Sequence, residues 1–329
     1  MRCTDRRKRF FFGSFLLIGM FLIAGCAKKE SIIATYEKSE YNRDLYRADL
    51  YAENLCVAVE NIELPGYTTD QQLHAAGLFG VNQEQVLYAQ NLHNKLYPAS
   101  TTKVLTAYVA LKYGNLSDVV TVSRRAVTFD VDASVCGLQE NDQITMEALL
   151  YGLLLHSGND NAIAIAEHIS GSVEAFVELM NEEARKLGAT NTHFTNPHGL
   201  HEADHYTTAY DLYLIFNECM KNETFLTMIS QSSYAATVQN PTSGTRQLTW
   251  TPSHFYAQGL AIPPQNAVIV GGKTGTEDLA GSCLILLEKD LSGNPYISIV
   301  MGAPDKTVLY NDMTSLISAI PASSVPLHV

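Results

Sequence analysis

Ser100, Thr101, Thr102 and Lys103 put a hydroxyl three residues ahead of an amine. In a helix, positions i and i+3 share a face, so the two groups would meet and the amine could take the serine's proton. Pro98 suits the start of such a helix and Gly114 its end. Ser100 would then lie in the first turn, where unpaired backbone N–H groups favour negative charge. A lysine is a base only when neutral, and its ordinary pKa is about 10.4. Burial and a second nearby cation both lower that value. A second cation is available in Lys273-Thr274-Gly275-Thr276, which ends the strand-like run NAVIVGG and carries glycines that let another backbone approach closely. A third stretch, Ser157-Gly158-Asn159, falls between an apolar helical run and the next helix start. Taken alone, Ser157 reads there as an N-cap and KTGT as a strand-end turn. S-x-x-K alone is expected about once by chance in a chain this long, so the weight rests on the three stretches together. The chemistry they suit is attack by an activated serine through a covalent intermediate.

Two other strings point elsewhere. Residues His201 to His205 read HEADH and satisfy H-E-x-x-H, a zinc-peptidase signature that works when both histidines project from one helix face. Here the string follows the turn-rich Asn196-Pro197-His198-Gly199, and the next helix is predicted from about Thr208. HEADH is therefore expected in a loop with His201 and His205 as surface or loop-packing residues, with no metal bound and activity that survives a chelator. GGKT resembles the end of a phosphate-binding loop, but the required glycine position holds Ala267 and the preceding residues read as strand, so nucleotide binding is discarded.

The elements that must position these residues follow from local pattern. LCVAVENI (55–62) reads as a strand, and AAGLFGV with QVLYAQN as a hairpin. Val104, Leu105, Tyr108, Leu111 and Tyr113 give the helix after Pro98 a buried face. From about 127 to 234 the character is helical: ITMEALLYGLLLH, NAIAIAEHI, SVEAFVELMNEEARKLG closed by Gly188, and TTAYDLYLIFNECM with Thr208 and Asp211 spaced as a capping box. Strands return in RQLTW, NAVIVGGKT, SCLILLE and YISIVMGA, and a last helix runs from about Asn311 to Ile320 before Pro321. The order suggests an α/β lobe interrupted by an all-α lobe.

The N-terminus reads as a targeting segment. Arg2, Arg6, Arg7, Lys8 and Arg9 precede an apolar run of 15 residues, Phe10 to Ala24, short for a membrane span, which needs about 20, and suited to an export signal. Gly25-Cys26 resembles a bacterial lipoprotein cleavage site, so residues 1–25 are expected to be removed and Cys26 lipidated, with residues 26–47 as a polar tether and 48–329 as the enzyme domain. Without residues 1–25 the chain keeps 17 basic and 33 acidic residues, a formal net charge of −16, which excludes a nucleic-acid partner. Cys56, Cys136, Cys219 and Cys283 are widely spaced and are expected mostly as free thiols.

S-x-x-K, S-G-N and K-T-G in that order, in the stretches VLYAQNLHNKLYPASTTKVLTA, LLYGLLLHSGNDNAIAIAE, HFTNPHGLHEADHYTTAYDL and GGKTGTEDLAGSCL, resemble the penicillin-recognising serine enzymes, and among them the low-molecular-weight D-alanyl-D-alanine carboxypeptidases. The resemblance covers about residues 55 to 320. It implies an α/β (α+β) fold of the β-lactamase/transpeptidase-like kind: an antiparallel sheet flanked by helices, with an inserted all-helical lobe at about 127–234. It also implies Ser100 as nucleophile, Lys103 as general base, Ser157 as proton relay to the leaving amine and Asn159 as orienter of the substrate amide. Lys273, Thr274 and Thr276 would bind the terminal carboxylate beside Gly275, and the N–H groups of Ser100 and Thr276 would form the oxyanion hole. The implied substrate is a peptidoglycan stem peptide ending in D-Ala-D-Ala, β-lactams are covalent inhibitors, no cofactor is needed, and the enzyme works outside the cytoplasm, held to the membrane by its N-terminal lipid.

Rival readings are a serine β-lactamase, a cross-link endopeptidase or transpeptidase, and a non-catalytic wall-binding lipoprotein. The chain lacks the E-x-x-L-N of class A β-lactamases, so slow deacylation is expected. Two departures stand out. The chain ends soon after its last helix, so neither a further C-terminal domain nor a C-terminal anchor is expected. GAPDKTVLYND offers Lys306 where relatives often carry arginine, which leaves a carboxylate contact from that segment in doubt.

Overall fold

The runs SCLILLE and YISIVMGA are apolar almost without interruption because their strands are covered on both faces. The structure, a computed structural model, describes residues 55–69 and 72–321; the expectations for residues 1–25, Cys26 and the tether lie outside them. Five antiparallel strands form the main sheet: β1 (Ala75–Gly80), β2 (Gln85–Gln90), β7 (Ala267–Glu277), β8 (Gly281–Asp290) and β9 (Pro295–Ala303), in the order β2-β1-β9-β8-β7. Alternate residues face opposite cores. Phe79, Ile285, Leu287, Ile297 and Ile299 join one core with the helices of the insert; Leu78, Leu284, Leu286 and Val300 join the other with Leu309, Met313, Leu316 and Ile317 of α7 (Lys306–Ser318). Asp305 caps α7 at the Val308 N–H, so this helix starts five residues earlier than its apolar pattern suggests.

On the inner face α1 (Lys103–Tyr113) runs through the core, entered by a 3-10 turn at Ala99–Thr102 and ended at Gly114. Val104, Leu105, Ala107, Val109 and Ala110 are buried, whereas Tyr113 of the expected face is exposed. Around α1 lie α2 (Met146–Tyr151), continued by a π-helical turn at Gly152–His156, then α3 (Asn159–Ser170), α4 (Val173–Lys186), α5 (Ala209–Cys219) and α6 (Glu223–Ile229). Ser172, Thr208 and Asn222 cap α4, α5 and α6 through their side-chain oxygens. At α5 only half of the expected box forms: the Asp211 carboxylate turns to Asn191 N and Thr192 Oγ1.

The fold class holds, with two corrections in detail. The insert is not wholly helical. β3 (Val119–Thr121) and β4 (Gln143–Thr145) join β5 (Tyr234–Asn240) and β6 (Gly244–Trp250) in a second sheet of order β3-β4-β5-β6, so RQLTW belongs there and not with the main sheet. Arg246 of β6 and Asn240 of β5 both bind the buried Asp142 carboxylate and tie this sheet to the loop before β4. LCVAVENI forms no strand: it bends at Leu55 and at Val59–Glu60 and pairs only through an isolated bridge from Ile62 to Ala89; its alternation comes from packing Cys56 and Ala58 inward. Cys56, Cys136, Cys219 and Cys283 are all buried and unbridged. No helix of the described residues is long and apolar enough to cross a membrane.

Candidate active site

Ser100 sits in a 3-10 turn tied by its own threonines. Thr101 Oγ1 donates to Pro98 O at 2.7 Å and Thr102 Oγ1 to Ala99 O at 2.8 Å. Ala99 is held at φ +47°, left-handed for a residue with a side chain, a strain of the order of 1–3 kcal/mol that persists only where surroundings over-determine it. Gly199 supplies part of that constraint, since a Cβ there would fall 1.9 Å from Ala99 O. Asn196 shapes its loop: Oδ1 accepts from Gly199 N at 2.7 Å and Nδ2 donates to Leu200 O at 2.9 Å. Pro197 O accepts from Thr106 Oγ1 of α1 at 2.6 Å. The stretch NPHGL is therefore a bracket fastened to α1, the helix that follows Ser100.

Lys103 is fully buried. Its Nζ lies 2.9 Å from Ser100 Oγ, 2.7 Å from Asn159 Oδ1 and 2.7 Å from His198 O. Burial first, and the nearby Lys273 second, hold its pKa well below the ordinary value. A neutral amine has two N–H donors and one lone pair. Two of the three neighbours are acceptor oxygens that take the N–H groups, and the lone pair is left for the Ser100 hydroxyl.

Lys273 is brought in from the other side by β7, the edge strand of the main sheet. Gly275 allows the approach: a Cβ there would lie 2.9 Å from Pro98 O and 3.0 Å from Ser100 N. Lys273 Nζ donates to Ser157 Oγ at 2.9 Å and to Thr274 O at 2.8 Å. Its burial lowers its pKa to about 7. Among the described residues neither Lys103 nor Lys273 has a carboxylate in salt-bridge range. A buried cation without a counter-ion is costly, so this corner is prepared for an anion. Thr274 Oγ1 is 2.7 Å from Ser253 Oγ, and Thr276 is solvent-exposed on the same edge.

Ser157 is not the cap of α3. It closes the π-helical turn in the left-handed conformation, φ 66°, and Gly158 is the capping residue without a side-chain bond. Such π-turns often mark functional sites. Asp160 fixes the turn from beneath, its carboxylate accepting from the backbone N–H groups of Cys136, Leu138 and Asn161. The structure thus brings Ser100, Lys103, Ser157, Asn159, Lys273 and Gly275 together, with Thr274 and Thr276 on the adjoining edge. The sequence reading missed His198, whose carbonyl binds Lys103, and Ser253, whose partner is 21 residues away; no local pattern marks either. Asp160, next to Asn159, and the paired threonines after Ser100 were visible signals. Lys306 stands over the Phe255 ring at 5.3 Å.

HEADH lies in a loop, as its frame predicts. Of the two expected roles, loop packing is the one His205 takes: it is 1% exposed, and both ring nitrogens are engaged, Nε2 at 2.8 Å from Thr102 Oγ1 and Nδ1 at 3.0 Å from Thr195 N. His201 packs edge-on against Tyr97. Among the described residues no group of three or more His, Cys, Asp or Glu is arranged to hold a metal ion.

An antiparallel sheet with helices on both faces, and a helix-borne Ser-Lys pair met by a strand-borne lysine, are the architecture of the penicillin-recognising serine enzymes. The solved Streptomyces K15 DD-transpeptidase superposes with a TM-score of 0.70 at 28% identity, over 77% of this chain and 98% of that one. A D-alanyl-D-alanine carboxypeptidase from Mycobacterium tuberculosis gives 0.68 at 27%, over 79% and 95%. The family model of D-alanyl-D-alanine carboxypeptidases matches residues 68–305, and the chain belongs to that family. The carboxypeptidase DacF of Bacillus subtilis is 41% identical over 144 residues, 42% of this chain and 36% of its own length. DacD of Escherichia coli is 32% identical over 273 residues, 79% of this chain and 66% of its own. The chain thus spans about one third and two thirds, respectively, of these two curated relatives.

Proposed function

We propose that this protein is a serine-type D-Ala-D-Ala carboxypeptidase that trims peptidoglycan stem peptides. The observation that carries the reading is the 2.9 Å approach of a buried Lys103 amine, its pKa held down, to the Ser100 hydroxyl. Lys103 takes the Oγ proton as Oγ bonds to the carbonyl carbon between the two D-alanines. The N–H groups of Ser100 and Thr276 receive the oxyanion, where loss of one donor typically costs about 3–4 kcal/mol. The C–N bond then breaks, and the proton passes from Lys103 through Ser157 to the departing D-alanine amine. Water attacks the ester and frees Ser100. Asn159 orients the substrate amide, and Lys273 with Thr274 and Thr276 holds the terminal carboxylate beside Gly275. The free edge of β7 suits an extended peptide laid along it as an added strand.

The N-terminal basic and apolar run with Gly25-Cys26 supports export, removal of residues 1–25 and lipid anchoring at Cys26 on the extracytoplasmic face of a bacterial membrane, with residues 26–47 as tether to the domain at 48–329. β-Lactams would acylate Ser100 and persist. Incubation with benzylpenicillin followed by mass spectrometry of the peptide digest tests the class and the nucleophile together. The adduct is expected on Ser100, and Ser100→Ala should abolish it; an adduct elsewhere, or one that survives the substitution, sinks the reading. Removal of one alanine from a D-Ala-D-Ala peptide, unaffected by chelator, completes the test.

A further inference from the structure

His205, the last residue of the zinc-like string, has no part in the scheme above, yet it is buried directly beneath the nucleophile's turn. We propose that His205 is a positioning residue for Ser100: its Nε2–H holds the Thr102 hydroxyl, which in turn holds the Ala99 carbonyl and so the strained turn that presents Ser100. The inference rests on the serine-enzyme reading.

The hydrogen bonds fix their own directions. The backbone N–H of Thr195 can only donate, so His205 Nδ1, 3.0 Å away, accepts and carries no proton. The neutral ring's proton is therefore on Nε2, facing Thr102 Oγ1 at 2.8 Å. The Thr102 hydroxyl has one proton, and Ala99 O, 2.8 Å away, can only accept it. The relay runs one way, from Thr195 N–H through the ring and the hydroxyl to the Ala99 carbonyl. His205 lies against the Phe194 ring, with centroids 4.9 Å apart, and burial first, then His193, His201 and Lys103, lowers its pKa to about 3, so the ring stays neutral. Ala99 is the point where the relay acts. It stands at φ +47° immediately before Ser100, with Gly199 packed against its carbonyl and the Thr102 hydroxyl bonded to it. With the hydroxyl free to rotate, that carbonyl loses its fixed donor, the peptide between Ala99 and Ser100 can relax, and Ser100 Oγ drifts from Lys103 Nζ. Misplacement of a reacting atom by about 1 Å can cost about 100-fold in rate.

The test compares variants that split the two ring nitrogens. His205→Gln keeps a donor near the Nε2 position and loses the acceptor for Thr195. His205→Asn keeps a group near Nδ1 and loses the donor to Thr102. With a fluorescent penicillin, His205→Asn should lower the acylation rate constant roughly 10- to 100-fold with little change in the dissociation constant of the initial complex. His205→Gln should recover most of that loss, although both variants lose a buried bond and melt earlier. Thr102→Val should fall as far as His205→Asn, Thr102→Ser less, and the double variant Thr102→Val/His205→Asn no further than either single change. Equal rates for the Gln and Asn variants, or multiplicative losses in the double variant, would overturn the proposal. A readout free of activity and of variant folding is the ring ¹⁵N spectrum of the wild-type protein, where His205 should be the neutral Nε2–H tautomer; an Nδ1–H or charged ring refutes the relay. If the wild-type protein takes no penicillin the enzyme reading fails instead, and the ring spectrum still decides this one.

Discussion

Two buried lysines share the site, one on a helix and one on a strand edge, and their surroundings differ. Lys103 is caged: two carbonyl oxygens and the Ser100 hydroxyl use every hydrogen-bonding position of a neutral amine. Lys273 touches one hydroxyl and the carbonyl of its own neighbour, Thr274. Burial is the larger cause of the lowered pKa in both, but Lys103 also feels Lys273 as a second cation. Identical side chains are thus driven to different duties. The caged amine is pushed towards its neutral form, which can accept a proton, while the loosely held one is about half charged at pH 7 and would hold its charge better beside an anion.

The comparison breaks most visibly at Lys103. Lys103→Met should lower β-lactam acylation about 10²- to 10⁴-fold, the usual contribution of a positioned general base, with the first complex still formed. Loss of binding with an unchanged acylation step would show that the two lysines had been assigned the wrong way round.

Lys273 should act through charge. Removing it leaves a substrate carboxylate without its partner, at a cost of about 1.5–3 kcal/mol, so Lys273→Gln should weaken kcat/KM roughly 10- to 100-fold. The pH sign follows from its lowered pKa of about 7 in the free protein. The cation is present below that value, so acylation by benzylpenicillin should fall as pH rises through about 7. Benzylpenicillin methyl ester, with no carboxylate, should lack this limb. A common alkaline limb for both compounds assigns it to another group.

Much of this contrast was legible in the sequence because its parts are local. The serine and the lysine lie one helical turn apart, KTGT ends a β-rich run, and the AAGLFGV–QVLYAQN hairpin closes over a few residues. What stayed hidden depends on long-range packing. Residues 55–62 alternate like a strand because Cys56 and Ala58 point inward, although only Ile62 pairs. β3 and β4 are three residues each, too short to give a periodic signal inside a segment dominated by helical runs. Ser157 meets Lys273 and His205 meets Thr102, each more than a hundred residues away, so local pattern offered a capping role for the one and left surface and loop packing both open for the other.

Stability should separate the lysines in the opposite sense from activity. Lys273→Met removes a buried cation with few partners and should stabilise the protein by about 1–2 kcal/mol at pH 7, a trade of function for stability. Lys103→Met orphans Asn159 Oδ1 and His198 O and should gain less or lose. In the wild-type protein Lys273 has a lower pKa folded than unfolded, so between about 7 and 10 the unfolded chain binds more protons and stability rises with pH. Denaturant titrations at pH 7 and 9 should show that rise in the wild type and a smaller one in Lys273→Met. Equal pH slopes would mean that Lys273 is not depressed.

The smallest effect is expected at Ser253. Its hydroxyl lies 2.7 Å from Thr274 Oγ1, and its N–H donates to Leu155 O at 2.9 Å, within the π-helical turn that leads to Ser157. Ser253 therefore joins Thr274 on β7 to the turn that ends at Ser157, on the Lys273 side of the comparison. When Ser253 donates to Thr274, the Thr274 proton is free to point at a substrate carboxylate; without Ser253 the threonine rotor loses its bias. One neutral hydrogen bond is worth about 0.5–1.5 kcal/mol, so Ser253→Ala should raise KM for a D-Ala-D-Ala peptide roughly 2- to 10-fold and leave kcat nearly unchanged. A fall in kcat at constant KM would place Ser253 with Ser157 in proton delivery, and the boundary between the anion-holding and proton-moving halves of the cleft would have to be redrawn through Thr274.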